Sequence, residues 1–450
     1  MHVPRDQAKW SDSARHDALE LAMGRTKPER LLEVSLSSKE VLEKFREEGC
    51  VHKMKAKQRR PGPAWSHVAL NAGALGETNC AVRAGFKNIA TTEVDKKLKE
   101  MAFDFTGSRS LGDTFAQDFT KHHAPAMVSA TVQCIDYSSG SPKVGTEKLH
   151  GVDGESGWQF VMVAQPVLQL RPLIIEMEMV GNAVKVHQSK EFMFICSAIT
   201  GQPYELVAAL VRMQSYGDIV NKERVILVAN HKCMGDVAAR YRIPTGSFSD
   251  AVSFCAKDVI DKQPEAARRR QYQDHPVKLK TTKPGELQLA ARCGKGQGFS
   301  NRLNASYSVD GLLPATTTYA GGRHLPEGWK PGDDVTESFT YSPKECGRAV
   351  NLADSWLEYY RSFEDTEHFQ FKCMAMGYSQ RFGVAVAESH IATLVEAGVP
   401  YDIKSTATRA VSTTRGKTTT VKHEFMPEDR IRQMDASQRD AEVNKKKSCG

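Results

Sequence analysis

From about residue 67 to residue 231, short apolar runs alternate with longer stretches in which apolar residues recur at helical spacing. The runs are His67-Val-Ala-Leu70, Asn88-Ile-Ala-Thr-Thr-Glu93, Met127-Val-Ser-Ala-Thr-Val132, Pro172-Leu-Ile-Ile175 and Arg224-Val-Ile-Leu-Val-Ala229. Each has the length of a buried strand. Strands separated by helices predict an α/β fold, with a parallel-type sheet and crossover helices on both faces. Outside the block 63–231 the pattern changes. Residues 1–62 are charged and weakly helical and run into Gln58-Arg-Arg-Pro-Gly-Pro63, which reads as an N-terminal extension and linker. Residues 232–335 are rich in Gly, Pro, Thr and basic residues with little periodicity, which predicts a smaller, loop-rich module. Helical patterning returns over 336–400, and 401–450 form a polar, Thr-rich, charged tail with the composition of a disordered segment.

At 450 residues and 40% hydrophobic, the chain can bury a sizeable core divided among about two or three domains. No apolar run reaches the ~18 residues of a membrane helix. The opening Met-His-Val-Pro-Arg-Asp lacks the apolar stretch of a signal peptide. An intracellular protein is therefore expected, nuclear in a eukaryote and cytoplasmic in a bacterium. The ten cysteines are scattered with no Cys-x-x-Cys pair, which argues against a structural zinc and fits a reducing compartment. No metal is expected, and His122-His123 reads as a solvated helix end. Net charge is +7, with basic clusters at Lys53–Arg60, Arg268–Arg270, Arg292–Arg302 and Lys445–Lys447. Several such clusters favour a phosphate backbone as partner.

Candidate chemistry sits at the ends of the apolar runs. The first run ends in Leu70-Asn71-Ala72-Gly73-Ala74-Leu75-Gly76, and Glu93 follows Gly73 by twenty positions. Glycines at a strand-to-helix turn admit a nucleotide-like ligand, and an acid about 20 residues on can bind ribose hydroxyls. In Leu111-Gly112-Asp113 a second acid is placed to accept from an adenine amino group. The chain has no Gly-Lys-Ser/Thr P-loop, so a triphosphate is not favoured. Cys134 lies where the third run breaks into Ile-Asp-Tyr-Ser138-Ser-Gly140. A cysteine there can be a nucleophile if the site supplies a cation or a base. Read in isolation it is more often a small buried hydrophobe.

The order of these features resembles the cytosine-C5 DNA methyltransferases, which use S-adenosylmethionine. That family runs from a Gly-rich strand end through an acid, a Gly-Asp, a Pro-Cys loop, Glu-Asn-Val and Gln-x-Arg-x-Arg to a closing Gly-Asn-Ala/Ser-Val. This chain offers Leu70–Gly76, Glu93, Gly112-Asp113, Gln133-Cys134, Glu178-Met179-Val180, Asn221-Lys222-Glu223-Arg224 and Gly383-Val384-Ala385-Val386. The resemblance spans about residues 67–400.

It implies a Rossmann-like methyltransferase sheet with helices on both faces. It also implies a target-recognition region near 232–335, and a segment over 336–400 that closes the core. The implied nucleophile is Cys134, which attacks C6 of a flipped-out cytosine, with Glu178 near N3 and Arg224 near O2. Gln133 and Ser138 would follow the nucleotide. Asn71, Ala72, Gly73, Gly76, Glu93, Asp113, Thr114 and Val384 would hold S-adenosylmethionine. The implied function is methyl transfer to C5 of cytosine in DNA. An RNA cytosine methyltransferase, or a weakly active regulatory protein on the same fold, is the other reading.

The residues alone leave three points open. Glu178 is chosen over Glu176 because Val180 follows it at the family spacing. Arg224 is also a plain partner for Glu223, and Gly383 a plain helix-packing glycine. Departures from the family pattern are Asn71 for Phe, Leu75 for Gly, Gln133 for Pro, Met179 for Asn, Val220 and Lys222 for Gln and Arg, and Val384 for Asn.

Overall fold

The computed structural model describes residues 65–108, 110–138, 151, 156–184, 186, 190–246, 256–261, 269–271, 289–292, 305–307, 313–314, 323–325, 337–376 and 378–399. The N-terminal extension, the charged tail and the side chains of the basic clusters named above lie outside the described residues.

In chain order the strands are β1 (Ser66–Leu70), β2 (Lys87–Thr91), β3 (Met127–Thr131), β4 (Ile174–Val180), β5 (Tyr204–Arg212), β6 (Val220–Asn221), β7 (Glu223–His231), β8 (Arg269–Gln271), β9 (Leu289–Arg292), β10 (Ala305–Tyr307), β11 (Leu313–Pro314), β12 (Arg323–His324) and β13 (Glu337–Thr340). The helices are α1 (Gly76–Ala84), α2 (Lys96–Thr106), α3 (Trp158–Met162), α4 (Ala164–Leu170), α5 (Lys190–Thr200), α6 (Asp236–Arg240), α7 (Pro343–Ala349), α8 (Asp354–Phe363), α9 (Glu367–Ala375) and α10 (Gln380–Glu396).

The main sheet has the order β2-β1-β3-β4-β7-β5. Its first four strands are parallel, β7 is antiparallel to β4, and β5 is antiparallel to β7. The expected parallel-type sheet is thus present, with an antiparallel edge formed by β7 and β5, the latter a strand absent from the sequence reading. The reason lies in the connection. Antiparallel neighbours need no crossover helix, so β5 reaches β7 through a single 3-10 turn at Met213–Tyr216 and β6. The alternation of strand and helix that marks the earlier strands ends there. A smaller sheet, β8-β13-β12-β10-β9, occupies the stretch read as loop-rich, and its last strand falls at Glu337–Thr340.

The two faces of the main sheet bury different partners. On one face Leu70, Val128, Ile175 and Met177 pack with Val163, Val167 and Ile195 of the α3–α5 layer. On the other, Met127, Ile174 and Ile226 pack with Tyr378, Phe382 and Val386 at and before α10. Strand side chains alternate between faces, so His67, Ser129, Glu176, Glu178 and Arg224 all project toward the α10 side. Polar residues on a covered face require partners, and these supply the site.

Local sequence explains the elements around it. Asp95 caps α2 by accepting from Lys97 N and Leu98 N, and Ser342 and Glu345 form a capping box at α7. The β1–α1 turn has left-handed backbone at Asn71 (φ 54°), Gly73 (φ 51°) and Leu75 (φ 66°). Leucine at such a φ is strained by roughly 1–2 kcal/mol. Leu75 is fully buried against Leu98, Met101 and Tyr341, and that burial offsets the strain where the family carries glycine.

Candidate active site

Cys134 lies just beyond the end of β3, half-buried, in a loop fixed by its neighbours. Tyr137 N donates to Cys134 O at 3.0 Å. Asp136 accepts from both Ser156 N and Ser156 Oγ at 2.9 Å, and the buried Tyr137 hydroxyl donates to Gly157 O at 3.2 Å. Burial pushes the Cys134 thiol up, Arg224 pulls it down, Glu178 pushes it up again, and Lys222 pulls it down. The four groups therefore share one electrostatic environment.

Glu178 stands opposite Thr131 of β3 on one side and Ile226 of β7 on the other. Its Oε1 pairs with Arg224 Nε, and both side chains are largely buried, at 15% and 14% exposed. Arg224 also donates to Glu223 O at 2.8 Å. Glu176, two residues back on the same face, has a different environment. Its carboxylate accepts from Tyr378 Oη at 2.6 Å and pairs with His390 Nε2 at 3.0 Å, beneath α10. The ambiguity of register is thus one of depth. Glu178 occupies the rim beside Cys134, and Glu176 sits in the interior.

Glu77 escaped the sequence reading, and Lys222 entered it only as a departure from the family's Gln-x-Arg-x-Arg. Lys222 is 7% exposed, and burial together with Arg224 lowers its pKa to about 8 against the attraction of Glu178, Asp218 and Cys134. Glu77 is 6% exposed, and burial together with Glu178 raises its pKa to about 8. In sequence Glu77 resembles any acid in a first helical turn. The signal available for Lys222 was its spacing of two from Arg224, which in extended chain puts both on one side.

The β1–α1 turn and the loops after β2 and α2 interlock. Gly73 N donates to Glu93 Oε2 at 2.9 Å, and Val94 N and Asp95 N donate to Glu93 Oε1 at 2.8 and 2.9 Å. Asn71 is held at three atoms: its N donates to Thr92 Oγ1 (2.9 Å), its Oδ1 accepts from Thr114 Oγ1 (2.5 Å), and its O accepts from Thr131 Oγ1 (3.0 Å). Asn71 Nδ2 is buried with no hydrogen-bond partner among the described residues. Asp113 accepts from Phe115 N at 3.0 Å, and Ala72 N bonds to Thr92 O. The structure thus brings Asn71, Ala72, Gly73, Glu93, Asp113 and Thr114 together.

The remaining expectations fall as follows. Gly76 lies against Tyr378, where a Cβ would come within 2.7 Å of that residue's N and Cβ. Val384 is half-buried in the apolar cluster beneath α10, beside the helix-packing Gly383, whose added Cβ would meet Cys80 Sγ at 2.5 Å. Gln133, exposed, and Ser138, half-buried, flank the nucleophile loop, while the loop containing Gly140 lies outside the described residues. His122 and His123 are exposed at the end of a 3-10 helix over Phe119–Lys121.

Residues 66–397 match the family described as C-5 cytosine-specific DNA methylase. The chain belongs to the C-5 cytosine-specific DNA methylases. Membership makes it a cytosine-C5 methyltransferase, a class of enzyme that uses S-adenosylmethionine as methyl donor. The fold is similar to that of the solved Entamoeba histolytica methyltransferase EhMeth, with a TM-score of 0.50 and 11% identity over 74% of this chain and 99% of that one. S. pombe Dnmt2 methyltransferase matches with a TM-score of 0.45 and 11% identity over 75% of this chain and 99% of that one. An E. coli protein described as a prophage-encoded DNA modification methyltransferase matches with a TM-score of 0.44 and 14% identity over 73% and 99%. No curated protein matches the chain. Among the described residues no helix is long and apolar enough to cross a membrane.

Proposed function

We propose that this C-5 cytosine methylase acts on DNA through covalent addition of Cys134 to C6 of a flipped-out cytosine, assisted by Glu178 and Arg224. The observation that carries this reading is the Glu178–Arg224 ion pair on the sheet face that also influences Cys134. An acid, a cation and a thiol from three separate segments act on one another electrostatically.

The residues of the β1–α1 turn fit S-adenosylmethionine. Glu93 already accepts three backbone N–H groups, and a carboxylate has about four acceptor sites, so one remains for a ribose hydroxyl. The buried, partnerless Asn71 Nδ2 marks a place where a ligand acceptor is missing. Asn71, Gly73, Glu93, Asp113 and Thr114 would hold the cofactor, which supplies an electrophilic methyl on its sulfonium.

The protein's own part is proton and charge handling. Cys134 must lose a proton to attack, and Glu178 must hold one to donate toward N3 as charge builds on the ring. A proton passing from thiol to carboxylate meets both needs, leaving a thiolate and a neutral acid with no net change of charge. The repulsion between the Cys134 thiolate and the Glu178 carboxylate penalises the state in which both are ionised. Arg224, released from a neutral Glu178, is then free to face the cytosine O2. Bond formation between Sγ and C6 makes C5 nucleophilic, and loss of the C5 proton after methylation expels the thiolate. Extraction of the base from the duplex costs a few kcal/mol, offset by these pocket contacts.

Transfer of tritiated methyl from S-adenosylmethionine to mixed-sequence duplex DNA, with transfer RNA as competitor, tests the reading. Label in cytosine C5 of the duplex, lost in Cys134→Ser, is expected. Label confined to transfer RNA would overturn the substrate, and label retained in Cys134→Ser would overturn the mechanism.

A further inference from the structure

β5 is the outermost strand of the main sheet, and among the described residues no strand pairs with its far side. Its ladder to β7 runs unbroken from Tyr204 opposite His231 to Arg212 opposite Glu223, without a bulge. The two ends of that ladder fix which backbone groups face outward. Lys232 N donates to Pro203 O at 2.7 Å, and Met213 N donates to Lys222 O at 3.0 Å. Odd-numbered residues of β5 therefore turn their N–H and C=O toward β7, and Leu206, Ala208 and Leu210 turn theirs to the open side.

Open edges are normally blunted by a charge, a proline or a bulge. Between its ends β5 carries none of these, because Leu206-Val-Ala-Ala-Leu-Val211 is apolar throughout. Ala208 is exposed, and Leu210 is 48% exposed. Leu206 packs with Val167, Ile195 and Ile199, so the side chains of 206, 208 and 210 share the α5 face of the sheet. There α5 packs beside β5 and carries Met193, 56% exposed. A row of outward backbone groups flanked by exposed apolar side chains is a template for another strand.

The strand is complementary to itself. Its midpoint is Ala208. Antiparallel pairing about a twofold axis at that residue sets Ala208 against Ala208 of the second copy and Leu206 against Leu210 of the second copy. All of these residues face outward, so each pair exchanges both N–H···O bonds, and the exposed Leu210 is covered by a leucine. An axis at Ala209 would instead press Leu206 against Arg212 of the second copy. Glu205 and Arg212 bracket the apolar run and pair with Lys232 and Glu223 within the chain. Antiparallel pairing lays the Glu205 end of one copy beside the Arg212 end of the other, whereas parallel pairing would align like charges.

We propose that β5 is a homodimer interface, through which two copies of this chain join their main sheets edge to edge in antiparallel register about Ala208. The interface is separate from the methyl-transfer site. β5 runs in the same direction as β3 and β4, so the twofold axis points the two Cys134 loops toward opposite ends of the joined sheet. Each subunit then works on its own substrate, and loss of the dimer leaves the rate per subunit unchanged.

Sedimentation equilibrium of the full chain, without DNA or cofactor, tests this. Wild type should dimerise at micromolar concentration. Ala208→Pro removes an outward N–H at the axis and spares the ladder to β7, and Leu210→Lys places a charge inside the run. Each should raise the dimer Kd at least about tenfold, with methyl transfer per subunit unchanged. Under mild oxidation Ala208→Cys should form a disulfide between copies, because opposed Cα atoms of a hydrogen-bonded pair lie about 5.5 Å apart, within disulfide reach. Leu206→Cys, displaced from the axis, should not.

A wild-type monomer at every concentration overturns the proposal, whether the amides of Leu206, Ala208 and Leu210 exchange freely or are protected by another segment of the same chain. A dimer that withstands both Ala208→Pro and Leu210→Lys overturns it as well. If either variant unfolds in a urea titration, the crosslink decides. A link in Ala208→Cys and none in Leu206→Cys supports the register, and any other pattern overturns it.

Discussion

Arg224 reaches Glu178 diagonally across the β4–β7 ladder, in which Glu178 is registered against Ile226 and Arg224 against Val180. The pair therefore depends on antiparallel register as much as on residue identity. Glu178→Gln should lower the single-turnover rate of methyl transfer by roughly 10²–10⁴, the usual contribution of a positioned acid or base. S-Adenosylmethionine affinity by calorimetry should stay unchanged. Arg224→Lys should not rescue Arg224→Met, because a flexible point charge does not reproduce the planar guanidinium. Wild-type rates in Glu178→Gln would remove this residue from the chemistry.

Glu93 ties Gly73 to the loop after β2 through three backbone donors. Glu93→Ala should raise the Kd for S-adenosylmethionine at least about tenfold, since it removes both a ligand acceptor and the tie that shapes the turn. Cys134→Ser should leave that Kd near the wild-type value. Calorimetry on the two variants separates the cofactor half of the site from the nucleophile half, and equal losses in both would contradict the division.

Beneath the rim, Glu176 holds Tyr378 and His390 in the interior, His390 being fully buried and its partner 4% exposed. His390→Ala removes one of the two partners of the buried Glu176 carboxylate and should cost about 1–3 kcal/mol in chemical denaturation. Tyr378→Phe removes one hydrogen bond and should cost about 1–3 kcal/mol. Gly383→Ala drives a Cβ against Cys80 and the Tyr378 ring, and overpacking of this kind costs about 1–3 kcal/mol. A value near zero for Gly383→Ala would mean that α10 does not pack as closely on α1 as described.

Glu77 gives the fold a pH dependence of known sign. Its pKa rises from 4.5 to about 8 on folding, through burial first and Glu178 second. The folded state binds the proton more tightly, so stability declines as pH rises from about 4.5 to about 8. Glu77→Gln removes this decline. The stability of Glu77→Gln relative to wild type should therefore increase between pH 5.5 and 8.5, measured by urea denaturation. A constant difference would show that Glu77 is ionised throughout.

Much of this site was legible in the chain because its residues close apolar runs. Cys134 lies just past the end of β3, Glu178 near the end of β4 and Arg224 near the start of the antiparallel β7, and the Gly-rich turn follows a strand buried along its whole length. What stayed hidden is what one-dimensional spacing does not encode. Glu176 and Glu178 share a face by the period of two, and only the depth of α10's cover distinguishes an interior acid from a rim acid. Lys222 and Glu77 look solvated in sequence, and their burial comes from segments far along the chain. β5, an edge strand paired with β7 and led into by α5, was missed although Leu206–Val211 is a continuous apolar run. Leu75, which departs from the family glycine, keeps the left-handed turn by burial rather than by conformational freedom.

The covalent role of Cys134 is tested most directly by trapping. Full-length protein is incubated with S-adenosylmethionine and duplex DNA carrying 5-fluorocytosine in varied sequence contexts, then resolved under denaturing conditions. With fluorine at C5 the final proton cannot leave, so the thiolate that attacked C6 stays bonded to the base. The expected result is a denaturation-resistant protein–DNA adduct whose peptide map places the link at Cys134, and which is lost in Cys134→Ser while that variant still binds cofactor. An adduct that persists in Cys134→Ser, or none in any context from a protein that binds cofactor and DNA, would contradict the mechanism.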